Sequence, residues 1–352
     1  MQIDLKKNIS AFSMLGEQLE AVSSGRIPAE TERVILAAAA ANAWFTRDSI
    51  LQALGAIGGA LSQGNLEKWM APYYRQLATA KDEKVIGVIN AGNIPAVGFH
   101  DFLAVLMSGN IYVGKNSADD AHLVPHLAAL LKKIEPAYEK RISFTPKISS
   151  PDAVIATGSS NSARYFEYYF GKYPHIIRKN RNSVAVLAGN ESAEELTALT
   201  DDVFQYFGLG CRNVSKLYLP EGFDLNRLFK PLEGHSNVTQ HNRYMNNYTY
   251  QRAVMLMNKE KFLENGFVIL RENTSLQSPV AVLHYEFYKD LKDVFEKLTF
   301  EEKEIQCTVC SDEIQKQFPS EKLSLVTFGE AQKPMLWDYA DRVDTMVFLL
   351  KV

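Results

Sequence analysis

The sequence predicts an α/β protein with two domains, each built on a parallel sheet. At 352 residues the chain exceeds the usual size of a single hydrophobic core. From residue 84 onwards, short β-branched apolar runs alternate with segments of helical periodicity. The alternation resumes after residue 211, and strands separated by helices favour parallel sheets covered on both faces.

The first 80 residues are predicted to be helical, and the alternating pattern after them gives the first sheet. The helices are expected at residues 10–23, 29–45, 46–61 and 66–80. The strands are expected at residues 85–89, 111–113, 142–144, 153–156 and 184–187. Connecting helices are expected at residues 96–107, 122–134 and 162–170.

The second half begins with a helix that Ser192 and Glu195 open as a capping box and that runs through Phe207 to Gly208. Strands are then expected at residues 216–219, 268–270, 280–284, 305–309 and 323–328, with helices at residues 224–229 and 286–297. The apolar stretch 339–350 is predicted to be a β-ribbon. A terminal strand of this kind needs a partner edge, which a second subunit could supply.

The composition is that of an ordinary globular protein, with 46% hydrophobic and 22% charged residues. A net charge of −3 gives no electrostatic reason to expect a nucleic-acid partner or an anionic membrane surface. The most apolar run, residues 34–45, is too short to span a bilayer. Three cysteines and an N-terminus without an apolar signal segment predict a cytoplasmic protein with reduced thiols.

Cys211 is the first candidate for chemistry. It lies in a glycine-containing turn, with Gly208 and Gly210 before it, between a predicted helix and a predicted strand. Glycines beside a reactive residue allow a ligand or another backbone to approach closely. A buried structural thiol is the alternative, because free cysteines are among the most buried residues.

Three loops follow predicted strands of the first sheet, where parallel sheets bind ligands. The first contains Ile89, Asn90, Ala91, Gly92 and Asn93, the second contains Lys115 and Ser117, and the third contains Thr157, Gly158 and Ser159. Each set alone is typical of ordinary turns. Asn93 could also cap a helix that begins near Pro95.

Taken in order, these segments resemble motifs of the aldehyde dehydrogenase superfamily. The matching segments are A-G-N-I-P at 91–95, G-N-I-Y-V-G-K-N-S at 109–117, A-T-G-S at 156–159 and G-L-G-C at 208–211, continuing into the strand V-S-K-L-Y-L. Residues 278–285 and 339–347 resemble two later motifs, the second of them an oligomerisation strand. The resemblance implies an aldehyde dehydrogenase-like fold with two Rossmann-like domains and a small β oligomerisation arm.

The resemblance also implies roles. Cys211 would be the nucleophile, Asn93 would help to hold the oxyanion, and the other residues of the three loops would bind a nicotinamide cofactor. The implied domains are a helical part of the cofactor domain at 1–80, the cofactor-binding domain at 81–190, the thiol domain at 191–330 and a C-terminal segment at 331–352.

Departures from the superfamily pattern indicate a branch. Arg178 stands near the place of the usual general-base glutamate, and about Ser275 replaces a glutamate that contacts the nicotinamide ribose. Ala118 aligns with an acid that binds the adenosine ribose, which favours NADPH over NADH, although Asp119 and Asp120 follow at once. Residues 328–346 are most similar to LuxC-type long-chain fatty acyl-CoA reductases.

The resemblance therefore implies NADPH-dependent reduction of a fatty acyl-CoA to the aldehyde through an acyl-cysteine thioester. The activated acyl group could instead be an acyl phosphate, an acyl adenylate or an acyl-carrier protein, and an acyl-transfer protein without hydride transfer is a further alternative. A homo-oligomer is expected, with an acyl-transferase or acyl-protein synthetase as a possible partner.

No metal site is predicted. Cys307 and Cys310 form a single C-x-x-C pair at a predicted strand. Such a pair is more often two core thiols than a zinc or redox site. The seven histidines show no metal-ligand spacing. One of them, His241, lies in a polar, aromatic stretch that could line a substrate channel.

Overall fold

In the computed structural model, which describes residues 4–79 and 82–352, the chain divides into two units. The first unit comprises Met1–Asn180 and Met335–Val352, and the second comprises Arg181–Pro334. The division lies before residue 190, where the sequence places a domain boundary, because the strand that begins at Asn182 pairs within the second sheet.

Helices form the described N-terminal part of the first unit, as the sequence predicts. They are α1 Leu5–Ser23, α2 Ala29–Ala41, α3 Arg47–Ala60, α4 Gln63–Met70 and α5 Tyr74–Leu77. Helix α2 stops before the predicted end at residue 45, because the Asn42 side chain accepts a hydrogen bond from the Trp44 N–H and turns the chain. The last predicted helix is interrupted by a 3₁₀ turn at Ala71–Tyr73. Its predicted end, Ala80, lies outside the described residues.

The first sheet is parallel, with the strand order β3-β2-β1-β4-β5. Its strands are β1 Val85–Ile89, β2 Ile111–Lys115, β3 Ile142–Phe144, β4 Ala153–Thr157 and β5 His175–Arg178. Its helices are α6 Phe99–Met107, α7 Leu123–Ile134 and α8 Ser160–Phe170. The chain places β2 and β3 on one side of β1 and then returns to place β4 on the other. The strand order thus reverses between β1 and β4, and doubly wound sheets bind ligands at the carboxyl edge of such a reversal.

The second sheet has the order β12-β11-β6-β7-β10-β9-β8 and is parallel except for the pair of β8 with β9. Its strands are β6 Asn182–Val186, β7 Val214–Pro220, β8 Leu263–Glu264, β9 Ile269–Glu272, β10 Val282–Tyr288, β11 Ile305–Val309 and β12 Leu325–Val326. Its helices are α9 Ala193–Phe204, α10 Asn226–Leu232, α11 Asn242–Met257, α12 Leu291–Phe300 and α13 Asp312–Gln317. The predicted capping box of α9 is confirmed. Helix α11 was not expected, because its apolar residues do not form one stripe.

The C-terminal segment corrects the sequence analysis: the predicted β-ribbon and β oligomerisation arm are wrong. After a 3₁₀ turn, residues Thr345–Lys351 form helix α14. Asp344 caps this helix by accepting from the Val347 N–H at 2.8 Å, and the buried Met346 and Leu349 lie at helical spacing. The strand prediction overlooked this cap. The segment packs into the core of the first unit.

Aromatic hydroxyl groups hold the start of this segment. The Tyr339 hydroxyl accepts from Trp69 Nε1 at 2.7 Å and lies 2.8 Å from the Tyr73 hydroxyl, which donates to Asp344 Oδ2 at 2.6 Å. Tyr339, which the sequence suggested for an intersubunit strand, is therefore bonded within its own unit.

Candidate active site

The loop before Cys211 has a strained backbone. Helix α9 ends at Phe204, and Tyr206, Phe207 and Gly208 then adopt φ angles of +51°, +59° and +76°. The helix therefore stops before its predicted end at Phe207. Non-glycine residues in the left-handed region cost about 1–3 kcal/mol each, and such strain persists where the surrounding structure enforces it, often at functional sites.

Asn213, which no sequence motif singles out, holds this loop in place. Its buried side-chain Nδ2 donates to the backbone oxygens of Asp202 and Gln205 at 3.0 and 2.9 Å, and its Oδ1 accepts from the Gly210 N–H at 2.8 Å. A β-carbon at Gly210 would lie only 2.9 Å from that oxygen. The close contact explains why glycine precedes the cysteine.

Cys211 is exposed, so the alternative of a buried structural thiol is wrong for this residue. Its backbone is fixed from strand β6, where the Ser183 hydroxyl donates to the Cys211 carbonyl oxygen at 2.9 Å. The Ser183 oxygen in turn accepts from the Cys307 N–H at 3.2 Å. The loop thus presents a thiol to solvent on an ordered backbone, which is what a nucleophile requires.

The two other thiols are buried, which confirms the prediction that the C-x-x-C pair belongs to the core. Burial raises the pKa of Cys307, and it raises the pKa of Cys310 to about 12. Neither thiol is a reactive nucleophile near neutral pH. Within the described ranges, no group of three or more histidine, cysteine or acidic side chains could hold a metal ion.

A buried carboxylate ties a distant segment to the loop that carries Cys211. Asp202, near the end of α9, accepts from the Gly329 N–H at 2.7 Å and the Ala331 N–H at 2.9 Å. Arg212, which directly follows Cys211, donates from Nε to the Ala331 carbonyl oxygen. Burial raises the pKa of Asp202 to about 6, despite the two N–H donors, which lower it.

We expect the stability contribution of Asp202 to fall as the pH rises. The folded protein holds this proton more tightly than an unfolded chain with a pKa of 3.8, so the contribution is full below pH 4 and is lost as the pH rises through 6. Denaturant unfolding of the wild type and Asp202→Asn should therefore show a stability difference that shifts by on the order of 2–3 kcal/mol in favour of the variant between pH 4 and 7.

Asp201→Asn is the matched control for this experiment, because 63% of the Asp201 side chain is exposed. Its stability difference from the wild type should change by less than about 1 kcal/mol over the same pH range. A difference that moves in favour of the wild type as the pH rises would contradict the assignment of Asp202.

In the first unit, the loops after β1 and β2 pack against each other. The Asn90 Nδ2 donates to the Tyr112 hydroxyl at 2.9 Å and to Asn116 Oδ1 at 2.8 Å. A β-carbon at Gly92 would lie 2.8 Å from the Ser117 Oγ. The side chain of Asn90 thus connects the two predicted cofactor loops. The structure brings Gly92 and Ser117 together, and it leaves Asn93 exposed between them and α6.

Asp120 completes this connection. Its buried carboxylate accepts from the Ala96 N–H at 2.8 Å and the Leu123 N–H at 3.4 Å, and burial raises its pKa to about 6. Ala96 has a φ of +55°, so this contact fixes a strained turn after Asn93. Helix α6 begins only at Phe99, with Gly98 at the capping position, so Asn93 does not cap it.

The remaining predicted cofactor residues lie at the carboxyl edge of the first sheet. Ile89 pairs in register with Lys115 on one side and with Ala156 on the other, so the loops that follow the three strands start level. Lys115 is exposed. The hydroxyl of Ser159, which follows Thr157 and Gly158, caps α8 by accepting from the Ser162 N–H.

This donor set suits a dinucleotide. A helix N-terminus, hydroxyl groups and an exposed lysine at a strand-order reversal offer N–H dipoles and positive charge to phosphates. Lys115, Ser117 and Ser159 are the side chains that could hold such a cofactor.

Arg178 forms a buried ion pair. Its Nη1 lies 2.6 Å from Asp101 Oδ2, and its Nη2 donates to the Thr345 hydroxyl at 3.0 Å. Both charged side chains are buried. The position that the sequence aligns near a general-base glutamate therefore holds a paired cation.

Two further predicted positions lie in the second unit. The exposed Ser275 donates its hydroxyl to the Gln277 carbonyl oxygen at 3.1 Å, within the connection between β9 and β10. The ring of His241 lies 4.3 Å from that of Phe207, and its Nδ1 caps α11 by accepting from the Tyr244 N–H. His241 thus contacts the strained loop that leads to Cys211.

Comparison with known proteins establishes the fold. No family model matches the sequence, and no curated protein matches it in sequence. Many solved structures share its fold. An aldehyde dehydrogenase from Bacillus cereus in complex with NAD+ has a TM-score of 0.64 and 15% identity, covering 92% of this chain and 76% of its own.

Two other structures give the same result. Aldehyde dehydrogenase 21 from Physcomitrella patens, in complex with succinate, has a TM-score of 0.63 and 12% identity over 97% of this chain and 84% of its own. An NAD-dependent aldehyde dehydrogenase from Sinorhizobium meliloti has a TM-score of 0.61 and 12% identity over 89% and 72%. The chain has the aldehyde dehydrogenase fold. Across the described residues, no helix combines the length and apolar character needed to cross a membrane.

Proposed function

We propose that this protein reduces a fatty acyl-CoA to the aldehyde, with NADPH as the reductant and an acyl thioester on Cys211 as the intermediate. The exposed Cys211 carries the proposal, because Asn213 and Ser183 fix the backbone on which it stands. The fold and the LuxC-like sequence features are consistent with this chemistry.

In the proposed reaction, the Cys211 thiolate attacks the acyl carbonyl carbon, and the C–S bond to coenzyme A breaks so that the CoA thiolate leaves. The Asn93 side-chain amide and the Cys211 backbone N–H are the proposed donors to the developing oxyanion. A bound NADPH would supply a hydride to the carbonyl carbon of the thioester. The thiohemiacetal anion on Cys211 then breaks its C–S bond, which releases the aldehyde and restores the Cys211 thiolate.

The ion pair at Arg178 supports transfer to or from coenzyme A over hydrolysis. Hydrolysis of an acyl-enzyme requires a base that activates water. Arg178 is always protonated and is paired with Asp101, so it does not provide one.

NADPH is proposed because of the loop after β2. Ala118 offers no charge to repel a 2′-phosphate, and both oxygens of Asp120 are bonded to backbone N–H groups. Lys115 and Ser117 are the proposed phosphate contacts. The carboxylate of Asp119 is exposed and is the group that would oppose this preference.

The partner predictions rest on the family resemblance. The oligomerisation strand that suggested a homo-oligomer is a helix, so oligomerisation is proposed only from the resemblance. An acyl-transferase or acyl-protein synthetase partner and a cytoplasmic location likewise stay predictions.

A direct assay tests the proposal. The purified protein is mixed with a long-chain acyl-CoA and either NADPH or NADH, and cofactor oxidation and aldehyde are measured together. We expect one molecule of aldehyde for each molecule of cofactor oxidised. The kcat/KM for NADPH should exceed that for NADH by about tenfold, because one charge-assisted contact contributes a free energy of that size.

The alternatives give different results in the same assay. Faster turnover with an acyl phosphate, acyl adenylate or acyl-carrier protein would replace the proposed substrate. A protein that is acylated but neither binds nor oxidises a nicotinamide cofactor would be an acyl-transfer protein. A preference for NADH would overturn the assignment of Lys115 and Ser117.

A further inference from the structure

Gln332 has a buried side-chain amide whose N–H donor makes no hydrogen bond to the described residues. The residue is 8% exposed, and among the described residues its Nε2 has no hydrogen-bond partner. Leaving a buried donor unpaired costs about 1–3 kcal/mol, so such groups in folded proteins require an explanation.

Three hydrogen bonds place Gln332 beside the loop that carries Cys211. Asp202 accepts from the N–H groups of Gly329 and Ala331, and the Ala331 carbonyl oxygen accepts from the Arg212 side chain. These contacts fix the backbone immediately before Gln332. A β-carbon at Gly210 would lie 3.8 Å from Gln332 Nε2. The amide therefore lies next to the residue that precedes Cys211.

Two other buried polar side chains contact this loop, and both are already bonded within the protein. Asn213 uses Nδ2 and Oδ1 to hold the loop backbone. The Ser183 hydroxyl donates to the Cys211 carbonyl oxygen. Gln332 differs from them because none of the described residues accepts a hydrogen bond from its Nε2.

We infer that Gln332 is a substrate-binding residue of the Cys211 site, and that its Nε2 donates a hydrogen bond to a carbonyl oxygen of the acyl donor. The inference rests on the proposed function. A neutral amide N–H suits a neutral carbonyl, and an acyl-CoA offers two sources of it: the acyl carbonyl and the amide carbonyls of the pantetheine arm.

Steady-state kinetics of Gln332→Met and Gln332→Glu test this inference. Methionine keeps the shape without a donor, and glutamate replaces the donor with an acceptor. With decanoyl-CoA, we expect both variants to lose about tenfold in kcat/KM, the value of one substrate hydrogen bond. Unchanged kcat/KM in both variants would overturn the inference.

A second substrate, S-ethyl thiodecanoate, distinguishes the two carbonyls because it lacks the pantetheine arm. A loss with both substrates assigns the acyl carbonyl, and a loss with decanoyl-CoA alone assigns the arm. The control is Gln315→Met. In the wild type, the Gln315 amide donates to the carbonyl oxygen of Cys310, just after the carboxyl end of β11. Cys211 precedes the amino end of β7, at the opposite edge of the same sheet. The control variant should keep wild-type kinetics. Thermal unfolding shows whether each variant is folded.

A cofactor-free experiment separates failure of this inference from failure of the proposed function. Iodoacetamide and iodoethane both alkylate Cys211 with release of iodide, but only iodoacetamide carries a carbonyl. If the wild type turns over no acyl donor, the proposed function fails, and the alkylation rates alone test whether Gln332 binds a carbonyl oxygen. We then expect Gln332→Met to slow the reaction with iodoacetamide by about threefold to tenfold and to leave iodoethane unchanged. Equal effects on both reagents would reject the inference.

Discussion

Replacing Cys211 with alanine is expected to abolish the proposed NADPH-dependent formation of aldehyde, by about 10³-fold or more in kcat. The reason is chemical: without the thiol, no thioester forms, and the cofactor has no bound acyl group to reduce. Because Cys211 is exposed and its loop is held by Asn213 and Ser183, the variant should fold normally. The measurement is cofactor oxidation with aldehyde detection, together with thermal unfolding.

The chain provides a matched control in Cys310→Ala. Burial raises the pKa of this thiol to about 12, so it is not a nucleophile near neutral pH. The control should keep its kcat, although removing a core sulfur lowers its stability by on the order of 1 kcal/mol. Turnover that survives in Cys211→Ala would reject the covalent mechanism.

Asp101→Ala is expected to lower the free energy of unfolding by about 3–5 kcal/mol, because it leaves the buried guanidinium of Arg178 without its counter-charge. Asp101 and Arg178 are 8% and 6% exposed, so solvent cannot replace the lost partner. Denaturant unfolding of the purified variant measures this loss.

Two further variants test the cause. Glu167→Ala breaks the exposed pair of Glu167 with Lys179, whose side chains are 51% and 52% exposed, and should cost less than about 1 kcal/mol. The double variant Asp101→Leu with Arg178→Met removes both buried charges and should be more stable than Asp101→Ala. If the double variant is the least stable of the three, the loss of unfolding free energy in Asp101→Ala comes from packing and not from the unpaired charge.

Local signals made much of the fold predictable from the sequence. The Ser192–Glu195 capping box and the β-branched runs that became β1 and β11 lie at or near their predicted places. These features depend on neighbouring residues alone. The turn at Cys211 was likewise visible, because glycines mark it.

The errors and omissions have physical reasons. The segment after Tyr339 is apolar enough for a strand, but Asp344 caps a helix and Trp69 binds the Tyr339 hydroxyl from a distant part of the chain. Asn213 and Gln332 were not singled out, because their roles depend on contacts with segments that only folding brings close to them. A single sequence does not indicate such contacts.

The acyl-enzyme itself tests the central claim most directly. The protein is incubated with a long-chain acyl-CoA in the absence of nicotinamide cofactor, and its intact mass and peptide masses are then measured. The proposed mechanism predicts one acyl group, carried by the peptide that contains Cys211, and its loss as aldehyde when NADPH is added. An unmodified protein, or an acyl group on another residue, would contradict the mechanism.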